Sequence, residues 1–177
     1  MFNKLAVKTR LTIVIIFLLS ALLVIAGLGL TGMRKANEGL QTVYENRTIA
    51  LGLVAEVHSL ILDERLQLAL ALLDPTVEKI KQQTELVEKD IDDAGTAWAA
   101  YTVLKMLPEE KQLATRFEEN HGEFAQDGIM PVVTLLRDGK IDEAKSLNAQ
   151  KLNKLYEPVQ AEIFALSRLQ EVEAKAE

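Results

Sequence analysis

No charged residue occurs between Arg10 and Arg34, and Leu11 to Leu30 reads LTIVIIFLLSALLVIAGLGL, with Thr12 and Ser20 as its polar side chains. About 20 apolar residues at ~1.5 Å rise span the ~30 Å hydrocarbon layer of a bilayer. A cleaved signal peptide has an apolar core of roughly 7 to 15 residues and a small-x-small exit site. This stretch is longer and leaves through Gly27, Gly29 and Gly32 into Met33-Arg34-Lys35. It is expected to be an uncleaved membrane helix over residues 11–32. Lys4, Lys8, Arg10 and the amino terminus lie on one side of it, and Arg34, Lys35 and Arg47 on the other. That balance favours a cytoplasmic segment 1–10, with the rest of the chain outside.

Residues 36–177 have a different chemistry. The first 35 residues hold five Lys or Arg and no acid, which leaves 15 basic against 26 acidic residues, or −11, for the remainder. So acidic a domain lacks the basic face that phosphate neutralisation requires, so no nucleic-acid partner is expected. With no cysteine, nine Gly and only 5% aromatics, the chain also lacks the residues of a disulfide scaffold, a zinc module or a β-sandwich. An all-α fold remains.

Breakers divide this part into helices. Asp74-Pro75, Leu107-Pro108 and Asp138-Gly139-Lys140 are boundaries of the kind made by Pro at a first helical position and Gly at a C-cap. They predict helices over about 33–73, 76–104, 108–138 and 141–177. These lengths suit an up-down-up-down four-helix bundle whose first helix continues from the membrane span as one rod of ~90 Å. Val77, Ile80, Thr84, Val87, Ile91, Ala94, Trp98 and Tyr101 form one seam at steps of three and four, and Leu113, Phe117 and Phe124 form another. Gly128 with Pro131 predicts a kink in the third helix and Pro158 a bend in the fourth, where Leu152, Leu155, Val159, Ile163, Leu166 and Leu169 repeat.

The first helix has two stripes. Val54, Val57, Ile61, Leu68 and Ala71 make one; Leu51, Ala55, His58, Leu62, Arg65, Ala69 and Leu72 make the other. A bundle helix needs a single apolar stripe, so the second is expected to meet the same helix in a homodimer.

A charged N-terminus, one membrane helix, a small-residue exit, a long outer helix closing on Asp74-Pro75, and the segments VYENRTIALGLVAEVHSL and LLRDGKIDEAKSL resemble the sensor end of bacterial transmembrane receptors. The resemblance is to the four-helix-bundle ligand-binding domain of methyl-accepting chemotaxis proteins, over roughly Lys4 to Lys175, with the chain stopping before a second span. It implies a periplasmic domain on the bacterial inner membrane, dimeric through its first helices, that binds small ligands between the first and fourth helices. In the aspartate-receptor branch, arginines of the first helix clamp ligand carboxylates. Arg65 matches the first of them, but the next two positions are Leu70 and Asp74. The proline-containing binding segment of the last helix matches Lys154-Leu155-Tyr156-Glu157-Pro158-Val159, with Val159 in place of a threonine. These departures count against aspartate itself.

Arg65 sits in an apolar stripe and must pair with an acid, snorkel outward or hold an anion. At the same depth, about eight residues below the distal turns, the fourth helix carries Gln150, Lys151, Asn153 and Lys154, with Tyr156 just below. A guanidinium with ammonium donors suits a small carboxylate, so an organic acid is the expected ligand. His58 and His121 stand apart from any second metal ligand and read as packing residues, as do Trp98 and Tyr101. No cofactor or metal is expected, and no nucleophile-base grouping or phosphate loop suggests an enzyme. Asn46-Arg47-Thr48 fits a glycosylation sequon that is incidental in a bacterial protein. The chain thus reads as the input module of a chemoreceptor, in which a ligand displaces the fourth helix. The alternatives are a membrane-anchored oligomerisation or spacer module, or the same sensor attached to a histidine kinase or nucleotide cyclase.

Overall fold

A computed structural model describes the backbone of residues 7–176 and the side chains of residues 11–172 apart from 13–14 and 34–46. The expected membrane-flanking cations Lys4, Lys8, Arg10, Arg34 and Lys35, the sequon's Asn46 and the tail beyond Val172 lie outside these described side chains. The described residues are helical, with no strand among them. They divide into two units, residues 1–44 and 45–177, and helix α1 (Val7–Leu73) supplies residues to both.

In the first unit, Ile15–Met33 is long and apolar enough to cross a membrane, and none of it is buried against protein. Its hydroxyls find partners in their own helix: Ser20 Oγ donates to the Phe17 carbonyl at 2.8 Å and Thr31 Oγ1 to the Gly27 carbonyl at 2.8 Å. Such internal pairing is what hydrocarbon demands of polar groups.

The second unit is a helical bundle. Along α1, Ala50, Val54, Val57, Ile61, Glu64, Leu68 and Ala71 are buried at alternating steps of four and three, a heptad seam in which one slot is filled by a carboxylic acid. After the Asp74-Pro75 turn, Thr76 caps α2 (Val77–Thr102) by accepting from the Lys79 backbone N–H at 3.4 Å. The α2 seam buries Ile80, Thr84, Val87, Ala94, Trp98 and Tyr101 and half-buries Ile91. Val77, expected on that seam, is 87% exposed, and Ile80 one turn later is the first seam residue to be covered.

Pro108 opens α3 (Pro108–Glu123), which passes through a π-helical turn, Phe124–Ile129, into α4 (Met130–Arg137). The expected interruption at Gly128 and Pro131 thus takes the form of a widened turn. The Met130 N–H reaches back to the Ala125 carbonyl just before the residue that has no N–H to give. Gly128 also makes room for a neighbour: a Cβ there would lie 2.7 Å from Leu152 Cδ1. Gly139, at φ 72°, closes α4, with its N–H on the Leu136 carbonyl and that of Lys140 on the Leu135 carbonyl. This is the two-bond C-terminal motif that left-handed glycine permits.

The last rod is α5 (Ile141–Leu147), a second π-helical turn at Asn148–Leu152, and α6 (Asn153–Ala176), which contains Pro158. The widened turn lies ahead of the proline where a bend was expected. Leu152, Val159, Ile163 and Leu166 are buried and Leu155 and Leu169 half-buried; Gln170 joins them in the core.

Polar contacts tie the rods together. Arg137 at the end of α4 donates to Thr84 Oγ1 at 3.0 Å and bidentately to Glu88 at 2.6 and 2.8 Å on α2. Beside the α2–α3 turn, Glu110 is 1% exposed and accepts from Arg47 Nη1 (3.2 Å), Tyr101 Oη (2.8 Å), the Leu107 N–H (3.2 Å) and Gln170 Nε2 (2.6 Å). Side chains of α1, α2, α3 and α6 thereby meet on one carboxyl group. Tyr101, expected only to pack, anchors this knot, and burial together with the Glu110 hydrogen bond pushes its phenol pKa well up. Removing a buried charged partner strands the rest. Glu110→Ala is therefore expected to destabilise the full chain in detergent micelles by about 3–5 kcal/mol, far more than Lys89→Ala in the exposed Lys89–Asp93 pair, measured by chemical denaturation followed by helical circular dichroism.

Candidate functional site

Arg65 is half-buried on α1, one position beyond the core slot of Glu64. Its Nη2 donates to Asn153 Oδ1 at 3.0 Å, and its guanidinium carbon lies 3.9 Å from the centre of the Tyr156 ring. Both partners belong to α6. Neutral amide and ring satisfy its geometry but leave its charge uncompensated, and among the described residues no carboxylate pairs with it. Arg65 therefore presents an unneutralised cation at a half-open position, a place where an anion gains both charge and directed donors.

Tyr156 supports the cation from beneath. Its side chain is 5% exposed, and its hydroxyl has no hydrogen-bond partner among the described residues. The ring face stabilises the guanidinium electrostatically. The Tyr156 ring also packs on Phe124 (5.8 Å between centroids), and the contacts continue through His121 (6.5 Å), Phe117 (5.4 Å) and Trp98 (4.4 Å) to Tyr101 (5.0 Å). An aromatic column thus leads from Arg65 to the Glu110 knot.

Of the residues expected around the site, Asn153 and Tyr156 meet Arg65. Gln150, Lys151 and Lys154 instead line a groove of about 590 Å³ with Leu135, Glu143, Ser146 and Leu147. Helical geometry separates the two sets: residues 150 and 154 share one face, whereas 153 and 156 share another. Asn153 lay at the right depth in the sequence, and only the rotation of the helix singles it out.

The second stripe of α1 divides similarly. Ala55, Leu62 and Ala69 are exposed, while Leu51, His58 and Leu72 are half-buried. Leu66, Leu70 and Leu73 add 52%, 40% and 82% exposed leucines to the same helix. The His58 ring stands edge-on to Phe164 at 5.0 Å, and that of His121 stacks on Phe117. Burial lowers the pKa of both imidazoles, which favours neutral packing groups. Among the described residues no group of His, Cys, Asp and Glu has the arrangement of a metal site.

The model of one protein family, described as TarH, Tar ligand binding domain homologue, matches residues 1–174. No curated protein and no solved structure matches the chain.

Because its hydroxyl has no partner among the described residues and its ring is in use, Tyr156→Phe is expected to leave stability within ~0.5 kcal/mol of the parent or to raise it. Tyr156→Leu, which removes the ring beneath Arg65, is expected to cost about 1–3 kcal/mol through lost cation–π and packing terms. Denaturation midpoints of the two variants check the contrast.

Proposed function

Because this chain belongs to the Tar ligand-binding-domain family, we propose that it is the ligand-sensing input domain of a transmembrane chemoreceptor, holding a small organic carboxylate on Arg65. The observation that carries the reading is the state of that guanidinium: half-buried, oriented by Asn153 and Tyr156, and without a carboxylate partner among the described residues. A spacer has no use for an uncompensated cation in an apolar stripe, since such a group costs stability.

The domain acts as a homodimer in which the exposed leucines of α1 cover one another. The joined first helices bring two Arg65 sites to a shared seam, and the apolar helix over residues 11–32 anchors the assembly in the bacterial inner membrane with the bundle in the periplasm. Ligand binding couples the first and fourth helices through Arg65, Asn153 and Tyr156. It favours one axial position of α6, and a two-packing equilibrium needs only a differential affinity to shift. Function here is recognition and transmission, not catalysis.

Thermal denaturation of the full chain in lipid nanodiscs against a panel of mono-, di- and tricarboxylates tests the proposal. A ligand at ~100 times its dissociation constant adds ~2.7 kcal/mol of stability. A carboxylate that raises the midpoint of the parent and loses this effect in Arg65→Ala and Arg65→Gln is expected. Stabilisation that survives both substitutions would remove Arg65 from the site, and a panel without effect would favour the spacer.

A further inference from the structure

Two glutamates of the bundle are equally withdrawn from water and live in opposite surroundings. Glu110 accepts from four donors. Glu64, 0% exposed, has no hydrogen-bond partner on either carboxyl oxygen among the described residues. It fills the heptad slot between Ile61 and Leu68, both also wholly buried. Arg65, next in sequence, is turned to Asn153 and Tyr156 and does not pair with it.

The charged group whose field reaches Glu64 is Asp90 on α2, and it has the same sign. Asp90 is half-buried, with Asp63 of α1 and Asp93 adding negative charge and Lys89 opposing it. Burial and Asp90 both act against the charged form of Glu64, and among the described residues no cation stands beside them as an offsetting influence. An ionised carboxylate in such a place would be unpaired, unsolvated and repelled, so the group is held neutral by a proton.

We infer that Glu64 is a proton-binding site in the bundle core, occupied while α1 is packed on α2, and that loss of this proton in mildly alkaline surroundings loosens the seam between the two helices. The inference goes beyond the carboxylate reading and stands whether or not Arg65 binds an anion. Burial, and to a lesser extent Asp90, lifts the Glu64 carboxyl from 4.5 to about 8. The folded chain then holds a proton that the unfolded chain has released throughout that interval. The contribution of Glu64 to stability is therefore greatest below the interval, declines as pH rises through it and levels off above it.

Infrared spectroscopy of the full chain in lipid nanodiscs, labelled with carboxyl-¹³C glutamate, reads the proton directly. At about pH 6 a protonated glutamic-acid carbonyl band is expected in the parent and absent in Glu64→Gln. In the parent it vanishes on titration to about pH 10, and in Asp90→Asn it vanishes at a lower pH than in the parent. From about pH 5 to about pH 8 the folding constant of the parent is expected to fall by up to tenfold per pH unit relative to Glu64→Gln, and to level off above that range. A parent spectrum with no protonated glutamate band at about pH 6, or equal pH dependence of stability in parent and variant, would overturn the inference. Should Glu64→Gln fail to fold, the titration of the labelled parent band decides alone.

Discussion

Helix α1 has apolar surface on two sides, and one bundle covers only one of them. Its inner seam, from Ala50 to Ala71, is closed to solvent by the other rods. Its outer face leaves Leu62, Leu66, Leu70 and Leu73 between 40% and 82% exposed, a row at helical spacing rather than scattered leucines. Apolar rows of this kind are stable in water only when something covers them. The homodimer proposed above supplies such a cover, two-fold pairs of identical chains being the commonest assemblies. Arg65 lies on this helix, so whatever covers the outer row also shapes the surroundings of the cation.

The polar groups of the bundle divide into those whose partners are supplied and those whose partners are not. At the α2–α3 turn, Glu110 gathers donors from Arg47, Tyr101 and Gln170, three side chains on three different helices. Arg137 is satisfied by Glu88, which its hydrogen bonds hold below the usual carboxylate pKa range. Arg65 and Glu64 are adjacent in sequence and have no charge partner among the described residues, one half-open and one wholly enclosed. Stable bundles rarely retain such groups without a use. The aromatic column from Tyr156 to Tyr101 gives Arg65 and the Glu110 knot continuous packing through the core, so a displacement of α6 would be felt at both.

Much of the architecture was legible in the sequence because it rests on local chemistry. Pro75, Pro108 and Gly139 mark helix ends because a missing N–H and a left-handed φ act where they stand. The core stripe of α1 was legible from period alone, except at Glu64, which a hydropathy pattern passes over as a surface acid. The π-helical turns were not legible as such. Gly128 signalled an interruption, but its form depends on Leu152 of another rod approaching its backbone. For the same reason Asn153 and Lys154 could not be told apart: they share a depth and differ by about 100° around the helix, and only packing fixes the rotation. The knot was hidden because Glu110 also has an ordinary local reading, as an acid in the first turn of a helix.

Cysteine crosslinking of the outer row tests the central claim most directly, and the chain's lack of native cysteine makes every thiol informative. Leu62→Cys in native membranes, under mild oxidation, is expected to form a disulfide-linked dimer rapidly. The same treatment of Thr115→Cys, exposed on α3, is expected to leave monomer. Failure of Leu62→Cys to crosslink, with Thr115→Cys equally inert, would contradict a shared seam on α1.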